Sequence, residues 1–115
     1  MTLGQKQELF ARLYGQLLCW IDEQGWAARL GEVLRTKEQA EIYAAQGKGI
    51  KNSVHRLKLA GDLFLSVDGK VVWDGPEYKA CGEYWKSLHE SCRWGGDFRP
   101  RRDVYHFSLI HNGVY

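Results

Sequence analysis

The chain has 115 residues, enough for one hydrophobic core and too few for two of ordinary size. Its composition, 44% hydrophobic, 13% aromatic and 26% charged, excludes a disordered or collagen-like chain, and no apolar run approaches the length of a membrane span. A net charge of +2, from 16 basic against 14 acidic side chains, falls short of a nucleic-acid footprint, and three cysteines without a Cys-x-x-Cys pair argue against both a disulfide framework and a cysteine zinc site.

Thr2 and Gln5 have capping-box spacing, and Leu9, Phe10, Leu13, Tyr14, Leu17, Leu18 and Ile21 recur at three-and-four intervals until Gly25. This predicts a helix over about residues 3–24. The run from Trp26 to Leu34 carries no helical stripe and fits a strand, after which Thr36 and Gln39 open a second helix that ends near Gly47. Residues 47–54 are polar and glycine-rich and read as a loop. Between Leu59 and Trp73 two apolar runs flank Asp68-Gly69, the pair a type I′ hairpin turn demands because both residues need positive φ. Pro76 suits a first helical turn, and Tyr78, Tyr84, Trp85 and Leu88 carry a third helix to about Glu90. Residues 94–102 read as an irregular connection, and Val104–Ile110 as the last strand. The order predicts one α+β domain over 1–115, with a small, mostly antiparallel sheet flanked by about three helices.

The N-terminus, Met-Thr-Leu-Gly-Gln-Lys-Gln-Glu, lacks the features of a signal peptide. The expectation is a chain made in the cytoplasm, needing a separate export route for any work outside it.

With only four histidines, a histidine-based site can almost be enumerated. His55 and Asp62 lie seven residues apart where a polar loop meets a strand; on one helix they would stand roughly 10 Å apart along the axis, too far for a shared ion. A loop turning back into a strand brings them together and puts Asp62 on a rigid element. His106, at the start of the last strand, offers a third ligand and leaves one coordination position open, as catalytic zinc sites do. Asp103, three residues upstream, reaches such a site only if the chain bends at Asp103 or Val104, so the expectation is an Asp103 outside the regular strand. Plainer readings stand beside these: His55 as a loop histidine, Asp62 as a solvated edge charge, Asp103 as half of a surface ion pair, and His106 as a hydrogen-bonded core histidine. His89 reads as packing or surface, and His111 as solvated near a fraying terminus.

Four motifs in order, Arg35-Thr36 with Gln39, Ser53-x-His55 with Ala60-x-Asp62, Trp94-Gly95-Gly96-Asp97-Phe98, and Asp103-x-x-His106-Phe107, resemble the zinc D-alanyl-D-alanine carboxypeptidase family, which includes the vancomycin-resistance D,D-peptidases and the phage L-alanyl-D-glutamate endolysins. The likeness runs from about Leu34 to Leu109. It implies the zinc D,D-peptidase fold, with His55, Asp62 and His106 as Zn2+ ligands and Asp103 as general base. Arg35 matches the arginine that steadies the scissile carbonyl and its oxyanion. Gln39 and Ser53 match positions that line the substrate, and Trp94, Gly95 and Gly96 a turn flanking the cleft. One departure concerns the pocket entrance: many members carry glycine three residues after the first histidine, where this chain has Lys58.

The implied activity is zinc-dependent hydrolysis of a peptidoglycan stem-peptide amide, L-Ala-D-Glu above all, in phage-type lysis. The implied partner is the stem peptide, with no nucleic acid, no stable membrane association and a monomeric state. The alternatives are a D-Ala-D-Ala carboxypeptidase or dipeptidase, a non-catalytic zinc-stabilised wall-binding domain, and a nucleic-acid binder using the arginines near residue 100. The basic residues Lys48, Lys51, Arg56, Lys58, Arg99, Arg101 and Arg102 serve solubility or attract anionic wall polymer.

Overall fold

Thr2 starts the first helix by exchanging two bonds with Gln5: the Gln5 amide donates to Thr2 Oγ1 at 3.1 Å and the Thr2 amide to Gln5 Oε1 at 2.8 Å. In the computed structural model, which describes residues 1–31, 37–46 and 54–115, this capping box opens α1 (Leu3–Glu23). Its apolar stripe of Leu9, Phe10, Leu13, Tyr14, Leu17 and Ile21 is buried, and Gly25, at φ 80°, follows its end. The second helix, α2, spans Lys37–Ala45 and the third, α3, spans Pro76–Leu88, with proline in the first turn as predicted.

The sheet is built around one long strand. Strand β1 (Ala27–Leu30) pairs along one side of β2 (Ala60–Val67), while the other side of β2 is shared. Its C-terminal half pairs with β3 (Lys70–Val72), and its N-terminal half with β5 (His106–Leu109), which in turn pairs with β4 (Cys92–Trp94). Every pairing is antiparallel. The β2–β3 turn has Asp68 at φ 52° and Gly69 at φ 79°, as the hairpin signal requires.

Alternation along the strands divides their residues between two faces. Leu63, Leu65, Phe107 and Leu109 are fully buried, with Phe107 meeting the edge of Trp85 at 6.2 Å. Trp85 locks α3 to the sheet by donating its indole N–H to the Arg93 and Ser108 carbonyls at 3.0 and 3.2 Å. Asp62 and Phe64, on the opposite face of β2, are half-buried. Cys81 and Cys92 are buried free thiols pushed up to about 12, mainly by burial, so they are inert, whereas Cys19 is exposed.

The α+β class, the antiparallel sheet and the three helices agree with the sequence reading. The differences are local. Strand β4 went unread because three residues are too short to show alternation, and its order comes from backbone bonds to β5 rather than from its own pattern. The last strand begins at His106 rather than Val104, because Val104 and Tyr105 form a turn. The first strand ends at Leu30 among the described residues, and its reading through Val33 and Leu34 falls outside them. The chain end is tied down by paired bonds between His111 and Val114 at 2.8 and 2.9 Å, rather than frayed.

Candidate metal centre

The site forms where β2 changes partner. Asp62 sits opposite His106, the first residue of β5, and one step later the Leu63 amide bonds to the Tyr105 carbonyl at 3.0 Å. Directly opposed residues project to the same face, so the two side chains meet there. Asp62 Oδ1 lies 3.7 Å from His106 Nδ1.

His55 arrives from outside the sheet. It lies in a single 3-10 turn, Val54–Leu57, and Lys58 then takes φ 59° to swing the chain into β2. That reversal overcomes the separation a helix would have imposed, placing His55 Nε2 3.5 Å from Asp62 Oδ1. It also explains the departure at Lys58: this position requires left-handed backbone, which glycine adopts without strain and lysine does not.

One ligand atom each from His55, Asp62 and His106 lies within 4.8 Å of the others. Zinc binds nitrogen and oxygen at about 2.0–2.2 Å, so ligands of one tetrahedral ion stand roughly 3.4 Å apart, close to the 3.5 and 3.7 Å between Asp62 and the two histidines. His55 is 2% and His106 7% exposed. Asp62 Oδ1, which faces both imidazoles, is buried without a hydrogen-bond partner, a costly arrangement unless something else satisfies it. Burial alone would raise the Asp62 carboxyl, but the two facing imidazoles hold it down to about 2. At 3.5 and 3.7 Å their attraction is electrostatic more than hydrogen-bonded. An anionic oxygen between two imidazoles is a donor set that suits a divalent transition ion, so the residues fit a metal and could hold one.

Asp103 lies outside β5, in the turn leading to His106, whose amide donates to the Asp103 carbonyl at 3.3 Å. Its Oδ1 accepts the Tyr105 amide at 3.1 Å. The residue as a whole is exposed, yet its carboxyl stands within electrostatic reach of the cluster: partial burial and the Asp62 charge push it up, against a downward pull from His106.

Gly95 makes that turn possible. A Cβ there would stand 2.0 Å from the Asp103 carbonyl oxygen and 2.9 Å from His106 Cβ, and the Gly95 carbonyl accepts the Asp103 amide at 2.8 Å. Trp94 clamps the same turn by donating Nε1–H to the Val104 carbonyl at 2.9 Å, and Gly96 leaves room for the Trp94 ring. The Trp-Gly-Gly run thus shapes the backbone through close packing.

Of the other residues named from sequence, Gln39 lies half-buried in the first turn of α2, while Arg35 and Ser53 fall outside the described residues. His89 and His111 join no metal-binding group among the described residues; His89 Nδ1 accepts the Ser91 amide and His111 faces Lys6. Sequence reasoning missed two supports. Tyr14, read only as part of an apolar stripe, donates its hydroxyl to the Asp62 carbonyl at 3.3 Å and packs where a side chain at residue 61 would go. Phe98 sets its ring 5.4 Å from that of His106. Phe98 stands in the Trp-Gly-Gly-Asp-Phe motif, but neither contact has a local signal, because each joins segments far apart in the chain.

No protein-family model and no curated protein matches this sequence. Among solved structures, the fold is similar to that of the L-Ala D-Glu endopeptidase ChiX of Serratia marcescens, with a TM-score of 0.64, over 73% of this chain and 67% of that one at 21% identity. The likeness is one of fold. No helix among the described residues is long and apolar enough to cross a membrane.

Proposed function

We propose that this chain is a zinc-dependent peptidoglycan peptidase that cuts a stem-peptide amide, the L-Ala-D-Glu bond, in phage-type lysis of a host wall. The observation that carries this reading is the convergence of His55, Asp62 and His106 ligand atoms within 4.8 Å. It is supported by the fold shared with an endopeptidase named for that bond.

His55, Asp62 and His106 would hold the ion, the two imidazoles being buried and the carboxylate half-buried. A zinc ion there supplies Lewis acidity, which polarises a carbonyl and makes a water's proton easier to remove. Asp103 receives that proton on a carboxylate oxygen and returns it to the leaving amine, which departs neutral; its upward shift narrows the gap between its own basicity and the task. Arg35 in this reading stabilises the negative charge that develops on the carbonyl oxygen, an effect commonly worth about 3–4 kcal/mol, and Gln39 and Ser53 line the peptide. Asp103 is held by the Tyr105 amide on one side and by the Gly95 carbonyl through its own backbone on the other, so its position costs little reorganisation at the moment of reaction.

The test is mass spectrometry of purified peptidoglycan digested with the zinc-loaded protein, with and without a chelator. New amino-terminal D-Glu products that vanish with the chelator are the expected result. Release of free D-alanine instead identifies a carboxypeptidase, and retention on the wall without any product identifies a binding domain.

A further inference from the structure

We infer that the cavity beside the metal centre, walled by Arg93, Trp94, Phe98, Arg99 and Tyr115, is a binding site for a carboxylate-bearing residue of the substrate peptide. The inference rests on the peptidase reading and gives that site its specificity. The cavity measures about 470 Å³, within the usual range for a ligand pocket.

Its two arginines are restrained by backbone carbonyls and, among the described residues, unpaired with a carboxylate. Arg93 donates from Nη1 to the Glu90 and Cys92 carbonyls at 2.8 and 3.0 Å, and Arg99 from Nη1 to the Gly96 and Phe98 carbonyls at 3.1 and 2.7 Å. These bonds restrain each guanidinium without neutralising it, since backbone carbonyls carry no net charge. Among the described residues neither arginine has a carboxylate partner, and Asp97, the acidic residue of the cavity wall, is held by Lys86 at 2.7 Å. A restrained planar fork with donors to spare is the arrangement that recognises carboxylates.

The cavity also lies at the right reach. Phe98 touches both the centre and the cavity, its ring 5.4 Å from that of His106 and 4.9 Å from that of Tyr115. The Tyr115 wall therefore stands no more than about 10 Å from the His106 ring, within the span of about three extended residues. On a stem peptide cut before D-Glu, the diacid that follows the γ-linked D-Glu falls at this reach. Its carboxylate meets the arginines, and its methylene chain lies against Trp94, Phe98 and Tyr115.

The probe is L-Ala-γ-D-Glu-meso-diaminopimelate as the free acid, compared with the same peptide amidated at the diaminopimelate carboxyls. By calorimetry with metal-free protein, the free acid should bind at least tenfold more tightly. That advantage should shrink below threefold in the Arg93→Gln/Arg99→Gln variant and as salt is raised. With zinc-loaded protein, amidation should raise KM about tenfold and leave kcat unchanged. Because the amide is compared on unaltered protein, the result stands even if the double variant folds poorly, and Arg93→Lys with native Arg99 provides a second, charge-preserving variant that should keep at least half the preference. Equal binding of acid and amide overturns the proposal, as does inorganic phosphate competing as well as the peptide, which marks a generic anion site. Discrimination in binding without cleavage of either peptide retains the site and overturns the peptidase reading. Cleavage without discrimination does the reverse.

Discussion

Gly95→Ala probes the geometry of the centre without replacing any proposed ligand. The added methyl would stand 2.0 Å from the Asp103 carbonyl oxygen, where ordinary contact begins at 3.4 Å, so the carbonyl has to retreat by about 1.4 Å in a close-packed setting. Because the His106 amide bonds to that same carbonyl and His106 Cβ lies 2.9 Å from the new methyl, general base and metal ligand shift together. Overpacking of this size costs about 1–3 kcal/mol, which lowers Tm by several degrees and leaves a domain of ordinary stability folded. Displacing a catalytic group by about 1 Å costs on the order of 100-fold in rate. The assays are thermal unfolding, zinc titration and muropeptide cleavage on the folded variant. The expected outcome is a folded protein with weakened zinc affinity and turnover reduced on the order of 100-fold. Full zinc affinity with turnover within about twofold of wild type would refute the claim that this close approach positions the site.

Asp103→Asn should keep zinc binding and the fold while lowering turnover by about 10²–10⁴, measured by muropeptide cleavage beside zinc calorimetry; loss of zinc instead would make Asp103 a ligand. Lys58→Gly replaces a left-handed lysine at φ 59°, so relief of backbone strain should outweigh the greater freedom of the unfolded chain and stabilise the protein by up to about 1 kcal/mol in urea unfolding. A loss of stability greater than about 1 kcal/mol would show the side chain is needed. Asp62 titrates near 2 in the metal-free fold, below its unfolded value of about 3.9, so its stabilisation is complete above about pH 4 and is lost as pH falls toward 2. With a side chain 22% exposed, that amounts to on the order of 2 kcal/mol, and Asp62→Asn should flatten this part of the stability-pH curve; an unchanged curve contradicts the assignment.

Periodicity and turn chemistry made much of the scaffold legible. The stripe from Leu9 to Ile21, the Asp68-Gly69 turn and Pro76 each specify local backbone, and local backbone is what a single sequence encodes most directly. The candidate ligands were legible as residue types at a suggestive spacing, and excluding a shared helix for His55 and Asp62 followed from helical rise alone. Their actual approach depends on the Asp62–His106 register, which joins segments far apart in the chain and has no local signal. Strand β4, Tyr14 beneath Asp62 and Phe98 against His106 were invisible for the same reason: each is determined by a partner elsewhere. Gly95 was visible as a glycine in a turn, but its purpose, room for the Asp103 carbonyl, appears only once both segments are in place.

The most direct test of the central claim is zinc titration of metal-free protein by calorimetry, beside His55→Ala, Asp62→Ala and His106→Ala. One ion per chain in the wild type, with affinity reduced at least 100-fold in each variant, is the predicted result. Wild-type protein that takes up no zinc, or variants that bind it as tightly as the wild type, would contradict the account.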